Sequence, residues 1–256
     1  MLAPMAICEF HWGSAVLGRQ VTTRLILPER GKPPFAAFYL LHGLSDDYTI
    51  WSRRTRIEMY VANLPLIVVM PDGGRGYYTD NEQGPAYARH LAEELPAVIE
   101  RNFQAKSARS TRCIGGLSMG GYGALRLALA YPDQFCSATS HSGALLAGST
   151  PPRKGDLFPD EFKLIFDSRP AGSSHDLIHL VRRCSAAGNM PQLRIDCGTE
   201  DFLLDQNRDF HDRLIEMKIP HEYEEFPGTH SWDYWDLHVR EAIAFHAGVM
   251  KLKALS

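Results

Sequence analysis

The sequence predicts an α/β fold, a mostly parallel central sheet flanked by helices. Three observations carry that reading. Strand-like and helix-like patterns alternate along the chain, as βαβ connections require. Two short apolar runs, Phe35-Ala-Ala-Phe-Tyr-Leu-Leu and Leu66-Ile-Val-Val-Met, read as strands buried on both faces. Gly116-Leu117-Ser118-Met119-Gly120 stands between a strand pattern and a helix pattern, the arrangement of a nucleophile elbow.

Taken in order, strands are expected at 3–11 and 14–27, close enough in sequence to pair antiparallel at a sheet edge. Strands follow at 35–41 and 66–70, the latter leading into Pro71-Asp72-Gly73-Gly74. Residues 87–103 read as a helix with apolar positions at Leu91, Leu95, Val98, Ile99 and Phe103, bent at Pro96. A strand at 111–114 enters the elbow, and strong helix formers run from Tyr122 until Pro132 stops them. After a strand at 135–140, about fifty residues pass before the next, long enough for a lid or a decorated loop. A small lid insertion is therefore expected around 144–190, where two short helical patterns lie. Strands at 192–197 and 221–226 and helices at 209–218 and 235–246 complete the chain. No linker or repeat divides it, so one domain over 1–256 is expected.

The balance of residues narrows the function. The 256 residues are 45% hydrophobic and 22% charged, ordinary for a globular protein with a sizeable core. A net charge of -3 gives no basic footprint for nucleic acid and no polybasic membrane patch. No apolar run approaches the roughly 20 residues that span a bilayer, and the first ten residues lack the basic start and apolar core of an export signal. Cys8, Cys113, Cys136, Cys184 and Cys197 are scattered, without C-x-x-C spacing. All five read as reduced and structural, which favours a cytoplasmic location. No His and Cys cluster has zinc-ligand spacing, so no metal and no cofactor is expected. Expected partners are a small-molecule ester and, at most, further copies of the chain.

A serine hydroxyl is a poor nucleophile at neutral pH and needs a base within reach, itself oriented by an acid. In α/β-hydrolases the three follow the chain order Ser, Asp or Glu, His, each beyond the carboxyl end of a strand. Of eleven histidines, His90, His179, His211, His238 and His246 fall in helix patterns and His11 comes too early. His175 and His221 sit in polar stretches. His230 follows the last strand by the short loop Pro227-Gly228-Thr229 and is the expected base. His141 follows the wrong strand and is expected to line the pocket or pack structurally. The acid is expected at Asp201, just past the strand at 192–197, with Glu200, Asp205 and Asp196 as alternatives. The oxyanion needs two backbone N–H donors, expected from Met119 and from Leu44 in the loop after the strand at 35–41. His42 reads as an orienter of that loop. Trp51 and Trp232 are the expected substrate-binding aromatics, with Tyr77, Tyr78 and Trp235 nearby.

Four segments carry a family resemblance: Leu-Leu-His-Gly-Leu at 40–44, Val-Val-Met-Pro-Asp-Gly-Gly at 68–74, Gly-Leu-Ser-Met-Gly-Gly-Tyr-Gly-Ala at 116–124 and Gly-Thr-His-Ser-Trp-Asp-Tyr-Trp at 228–235. With them the chain resembles the esterase-D-like branch of the α/β-hydrolases. That branch includes small-ester (tributyrin-type) esterases, S-formylglutathione hydrolases, feruloyl and acetylxylan esterases, and mycolyltransferases. The overall likeness is strongest to the tributyrin-type group. The S-formylglutathione hydrolases carry a cysteine-containing segment where this chain has Ser45-Asp46-Asp47. The resemblance implies a triad of Ser118, Asp201 and His230, an oxyanion hole at Leu44 and Met119, and a serine carboxylesterase working on short-chain acyl esters through an acyl-enzyme. A thioesterase, a carbohydrate or feruloyl esterase, and an acyltransferase are the alternatives with the same triad.

Overall fold

The computed structural model describes residues 5–150, 159–166 and 170–255. Among these, eight strands form one sheet: β1 (Met5–Ser14), β2 (Arg19–Pro28), β3 (Ala36–Leu41), β4 (Leu66–Pro71), β5 (Arg112–Leu117), β6 (Ser137–His141), β7 (Gln192–Gly198) and β8 (Glu222–Phe226). Their order is β1-β2-β4-β3-β5-β6-β7-β8, with β1 and β2 antiparallel and β3 to β8 parallel. This is the α/β-hydrolase fold, with the expected antiparallel pair at one edge.

The alternation along each buried strand assigns its side chains to two cores. Ala37, Tyr39 and Leu41 of β3 face one cluster, while Ala36, Phe38 and Leu40 face the other. Ile67 and Val69 of β4 divide from Leu66, Val68 and Met70 in the same way. A period of two on a strand covered on both faces produces this split. The first core packs against α3 (Tyr87–Arg89), α4 (Leu95–Phe103), α5 (Met119–Ala130), α7 (Leu177–Ala186) and α8 (Leu204–Glu216). The second packs against α1 (Ile50–Arg54), α2 (Ile57–Val61) and α9 (Trp232–Val249). One more helix, α6 (Pro159–Phe166), lies in the expected insertion.

Several boundaries differ from the sequence reading. The helix expected at 87–103 is interrupted by a π-turn at His90–Glu94, directly before Pro96. Proline cannot donate to the preceding turn, so the irregularity sits where its bond would be. Helix α8 starts at Leu204 rather than 209, because the Asp201 carboxylate accepts the Leu203 N–H at 2.8 Å and turns the chain early. Helix α9 starts at Trp232 rather than 235. Residues 151–158 and 167–169 of the expected lid, and residues 3–4 of the first expected strand, lie outside the described residues. The exposed edge strand β8 carries Glu222 and Glu224, both paired with Arg194 of β7. Charge on an edge discourages pairing with another sheet.

Candidate active site

Strand β5 lies inside the sheet between β3 and β6 and delivers Ser118 to their carboxyl ends. Ser118 has φ +52° and ψ -116°, a conformation that costs a side chain of order 1–3 kcal/mol unless its surroundings enforce it. Here they do. Its N–H donates to the His141 carbonyl at 2.9 Å, and its own carbonyl accepts from the N–H groups of Tyr122 and Ala144, each at 3.1 Å. A Cβ on Gly120 would lie 2.6 Å from the carbonyl oxygens of Leu41 and His42, so only glycine lets α5 approach the sheet this closely. Of eight non-glycine residues with positive φ among the described residues, five (Ser45, Tyr77, Tyr78, Ser118 and Ser142) follow the carboxyl ends of β3 to β6. Backbone strain is concentrated on the side of the sheet that holds the elbow.

The loop after β3 lies against the serine. A Cβ on Gly43 would stand 3.8 Å from Ser118 Cβ. His42 is buried and holds this loop to the one after β4. Its Nδ1 meets the Gly43 carbonyl at 2.8 Å, and its Nε2 accepts the Gly73 N–H at 3.0 Å. An N–H can only donate and a carbonyl can only accept, so Nδ1 carries the proton. The 3.5 Å approach of Asp72 to Nε2 is therefore not a charge pair. Leu44 comes next along this loop. Met119 opens α5, and the first N–H groups of a helix have no acceptor within it.

Asp201 and His230 meet across the ends of β7 and β8. His230 Nδ1 lies 2.9 Å from Asp201 Oδ2 and 3.1 Å from Oδ1. Burial works against the charge on Asp201. The bonds from His230, from the Leu203 N–H and from the Ser142 hydroxyl outweigh it and hold the carboxyl below its ordinary pKa. The imidazole is flanked by Phe202 and Trp235, with ring centroids 4.5 and 4.8 Å away, and keeps 17% of its side chain exposed. No hydrogen bond joins it to the Ser118 hydroxyl among the described residues; such contacts are often long before a substrate is bound. Of the alternative acids, Glu200 accepts the Gly228 N–H at 2.7 Å and ties down the His230 loop, while Asp205 falls in the first turn of α8.

Asp196 belongs to a second pair. It neighbours His141 in the parallel register of β6 and β7, and His141 Nδ1 lies 2.9 Å from both of its oxygens. Both residues are wholly buried, and Tyr234 donates its hydroxyl to Asp196 at 3.0 Å. Burial and the adjoining carboxylate push the Tyr234 phenol far above its ordinary pKa, so it is always a donor. His141 thus packs structurally.

Four neighbours of the site have no sequence signature. Ser142 accepts the Trp235 Nε1–H at 3.3 Å and helps hold the Asp201 carboxyl low, which ties the turn after β6 to Asp201. Arg75 donates to both oxygens of Glu161 on α6 at 2.7 Å and to the Ser45 hydroxyl at 2.9 Å. Phe162 and Phe166 of α6 pack on Tyr77, with centroids 5.0 and 5.1 Å away. The described helix of the insertion is thereby docked beside the loop after β3. Trp51 and Trp232 touch edge to face at 5.4 Å, but Trp51 is only 1% exposed and gives its Nε1–H to the Leu41 carbonyl. Of these two expected substrate-binding residues, only Trp232 reaches solvent.

Two open concavities lie elsewhere: one at the amino ends of β7 and β8, another between α2 and α9. Parallel α/β sheets bind ligands at the carboxyl ends of their strands, so neither is the site. All five cysteines are free, and burial raises the Cys197 thiol to about 12, with Asp201 adding to the effect. Among the described residues, no group of three or more His, Cys, Asp or Glu is placed to hold a metal, and no helix is long and apolar enough to cross a membrane.

Residues 14–246 match the model of the Esterase family. The chain belongs to that family. The esterase is 30% identical to an acetyl esterase of Caldicellulosiruptor saccharolyticus over 96% of this chain and 99% of that protein. Its structure is similar to the fluorophosphonate-binding serine hydrolase FphF of Staphylococcus aureus, with TM-score 0.87 and 30% identity over 95% of this chain and 98% of that one. The S-formylglutathione hydrolase FrmB of Staphylococcus aureus gives TM-score 0.84 and 30% identity over 94% and 98%. The protein is a serine esterase, a carboxylic ester hydrolase.

Proposed function

We propose that Ser118, His230 and Asp201 are nucleophile, base and acid of a short-chain carboxylesterase, with the N–H groups of Leu44 and Met119 holding the oxyanion. The observation that carries this reading is the Asp201–His230 pair, at 2.9 Å, on the same side of the sheet as the strained Ser118 elbow. The Ser118 hydroxyl attacks the ester carbonyl as His230 takes its proton. The carbonyl oxygen gains charge between the two N–H donors. The alcohol then leaves with the proton from His230, and an acyl group remains on Ser118. Water attacks that acyl-enzyme by the same route, releasing the acid and restoring the hydroxyl. Each oxyanion donor contributes on the order of 3 kcal/mol.

The preference for small acyl groups is supported by full-length similarity to an acetyl esterase. A thioesterase reading for S-formylglutathione is favoured by the likeness to FrmB, and an acyltransferase would deliver the same acyl group to an alcohol. The reading takes the chain as one domain with no cofactor, its reduced cysteines fitting the cytoplasm. Whether copies of the chain associate does not enter the mechanism.

The test is p-nitrophenyl ester hydrolysis from acetate to palmitate, with S-formylglutathione beside it, and fluorophosphonate labelling. Acetate to butyrate should be cleaved fastest, and Ser118→Ala should remove both turnover and labelling. Undiminished hydrolysis by the Ser118→Ala protein would discard the assignment. Added glycerol should leave the acid as the main product; ester formation in its place would point to a transferase.

A further inference from the structure

Phe202 is the most exposed large apolar side chain among the described residues, at 75%, and it lies directly against the imidazole of His230. An isolated exposed apolar residue is ordinary on a protein surface. This one is ordinary in neither its neighbour nor its footing. The backbone on both sides is tied down: the Asp201 N–H donates to the Gly198 carbonyl at 3.1 Å, the Leu203 N–H to the Asp201 carboxylate at 2.8 Å, and the Leu204 N–H to the Asp201 carbonyl at 3.1 Å. The ring therefore projects from a fixed base. Trp235 meets the same imidazole edge-on, but it is buried and its Nε1–H is committed to Ser142. Of the two aromatic rings against the base, only that of Phe202 is open to a ligand.

The chemistry decides which part of an ester reaches it. During acylation the carbonyl oxygen turns toward the oxyanion donors, while the alkoxy oxygen must face the base that will protonate it. With His230 as that base, the group carried on the alkoxy oxygen is brought to the imidazole, against which the Phe202 ring lies. The acyl chain sits across the carbonyl, away from it. We propose that Phe202 is the alcohol-side specificity residue, and that it favours esters of aromatic or bulky apolar alcohols over esters of small polar ones. The inference rests on the triad assigned above and extends it from the acyl to the alcohol half of the substrate.

The experiment compares benzyl acetate with 2-methoxyethyl acetate on the wild-type protein, Phe202→Ala and Phe202→Trp. Both esters form one acetyl-enzyme, so a difference in kcat/KM reports the alcohol during acylation and nothing later. Wild type should prefer benzyl acetate. Phe202→Ala should lower kcat/KM for benzyl acetate about five- to tenfold, the size of one aromatic contact, and leave 2-methoxyethyl acetate within about twofold. Phe202→Trp should keep the benzyl preference. Equal losses on both esters, or no loss on either, overturn the proposal, since Phe202 would then act through His230 or not at all. Fluorophosphonate labelling of the same preparations keeps the two readings apart. A protein that labels at Ser118 but ignores the alcohol refutes only the role of Phe202. One that never labels refutes the triad.

Discussion

Among the described residues, two aspartates five positions apart each hold a histidine through its Nδ1, and the pairs differ in almost everything but composition. Asp201–His230 sits at the rim, its imidazole 17% exposed, its carboxylate held by the Leu203 N–H and Ser142. Asp196–His141 lies under the sheet's end with no exposure, capped by the Tyr234 hydroxyl. The inner imidazole has its Nδ1 on the carboxylate and its Nε2 buried with no partner among the described residues. The backbone of His141 nonetheless touches the elbow, because its carbonyl takes the Ser118 N–H. The difference teaches that an Asp–His contact is a mechanical part until solvent and substrate can reach its free nitrogen.

The largest expected contrast comes from removing each pair in turn. His230→Ala should lower kcat for p-nitrophenyl acetate by about 10⁵-fold or more, as loss of a triad base does elsewhere, while its thermal unfolding moves little. A variant that keeps more than a hundredth of wild-type kcat would erase the distinction between the pairs.

Asp196→Ala should do the reverse. It leaves the Tyr234 hydroxyl and the His141 Nδ1–H buried and unpaired, at a cost of about 3 kcal/mol or more. Urea unfolding should show that loss, and turnover per folded molecule should stay within about tenfold. A stability unchanged within error would mean that the inner pair braces nothing.

A third histidine supplies the smallest effect and a control without any acid. His246 of α9 is fully buried between the Ser137 and Thr139 hydroxyls, at 2.8 and 3.1 Å. Burial, then the nearby His141 and Arg194, push its pKa down to about 3. Unfolded, it would take a proton near pH 6.5. Between those values the unfolded state binds the extra proton, so this contribution to stability is complete above pH 6.5 and is lost as the pH falls toward 3. The slope is about 1.4 kcal/mol per pH unit. Chemical denaturation between pH 7 and pH 5 should show a steeper fall for the wild type than for His246→Gln. Parallel slopes would show that this imidazole stays solvated.

Much of this was legible in the chain. The elbow, the parallel sheet with its antiparallel edge, and the strand ends that bring Asp201 and His230 together all follow from local patterns. Glycine spacing, apolar runs and loop lengths are local properties. The inner pair was not legible, because it depends on His141 and Asp196 falling opposite one another in the register of two strands more than fifty residues apart. Neither was the burial of Trp51, which the second core decides. The early start of α8 depended on one side-chain bond from Asp201, a contact that a helix pattern beginning at 209 does not encode.

Among the described residues, the hydrogen bonds of Ser118 all run through its backbone: the N–H is taken by one strand and the C=O by two donors. The pedestal and the reagent standing on it are separable. A thiol at this position would inherit the same perch without any rearrangement of the scaffold, whereas a methyl group added to Gly120 would drive the helix off the sheet.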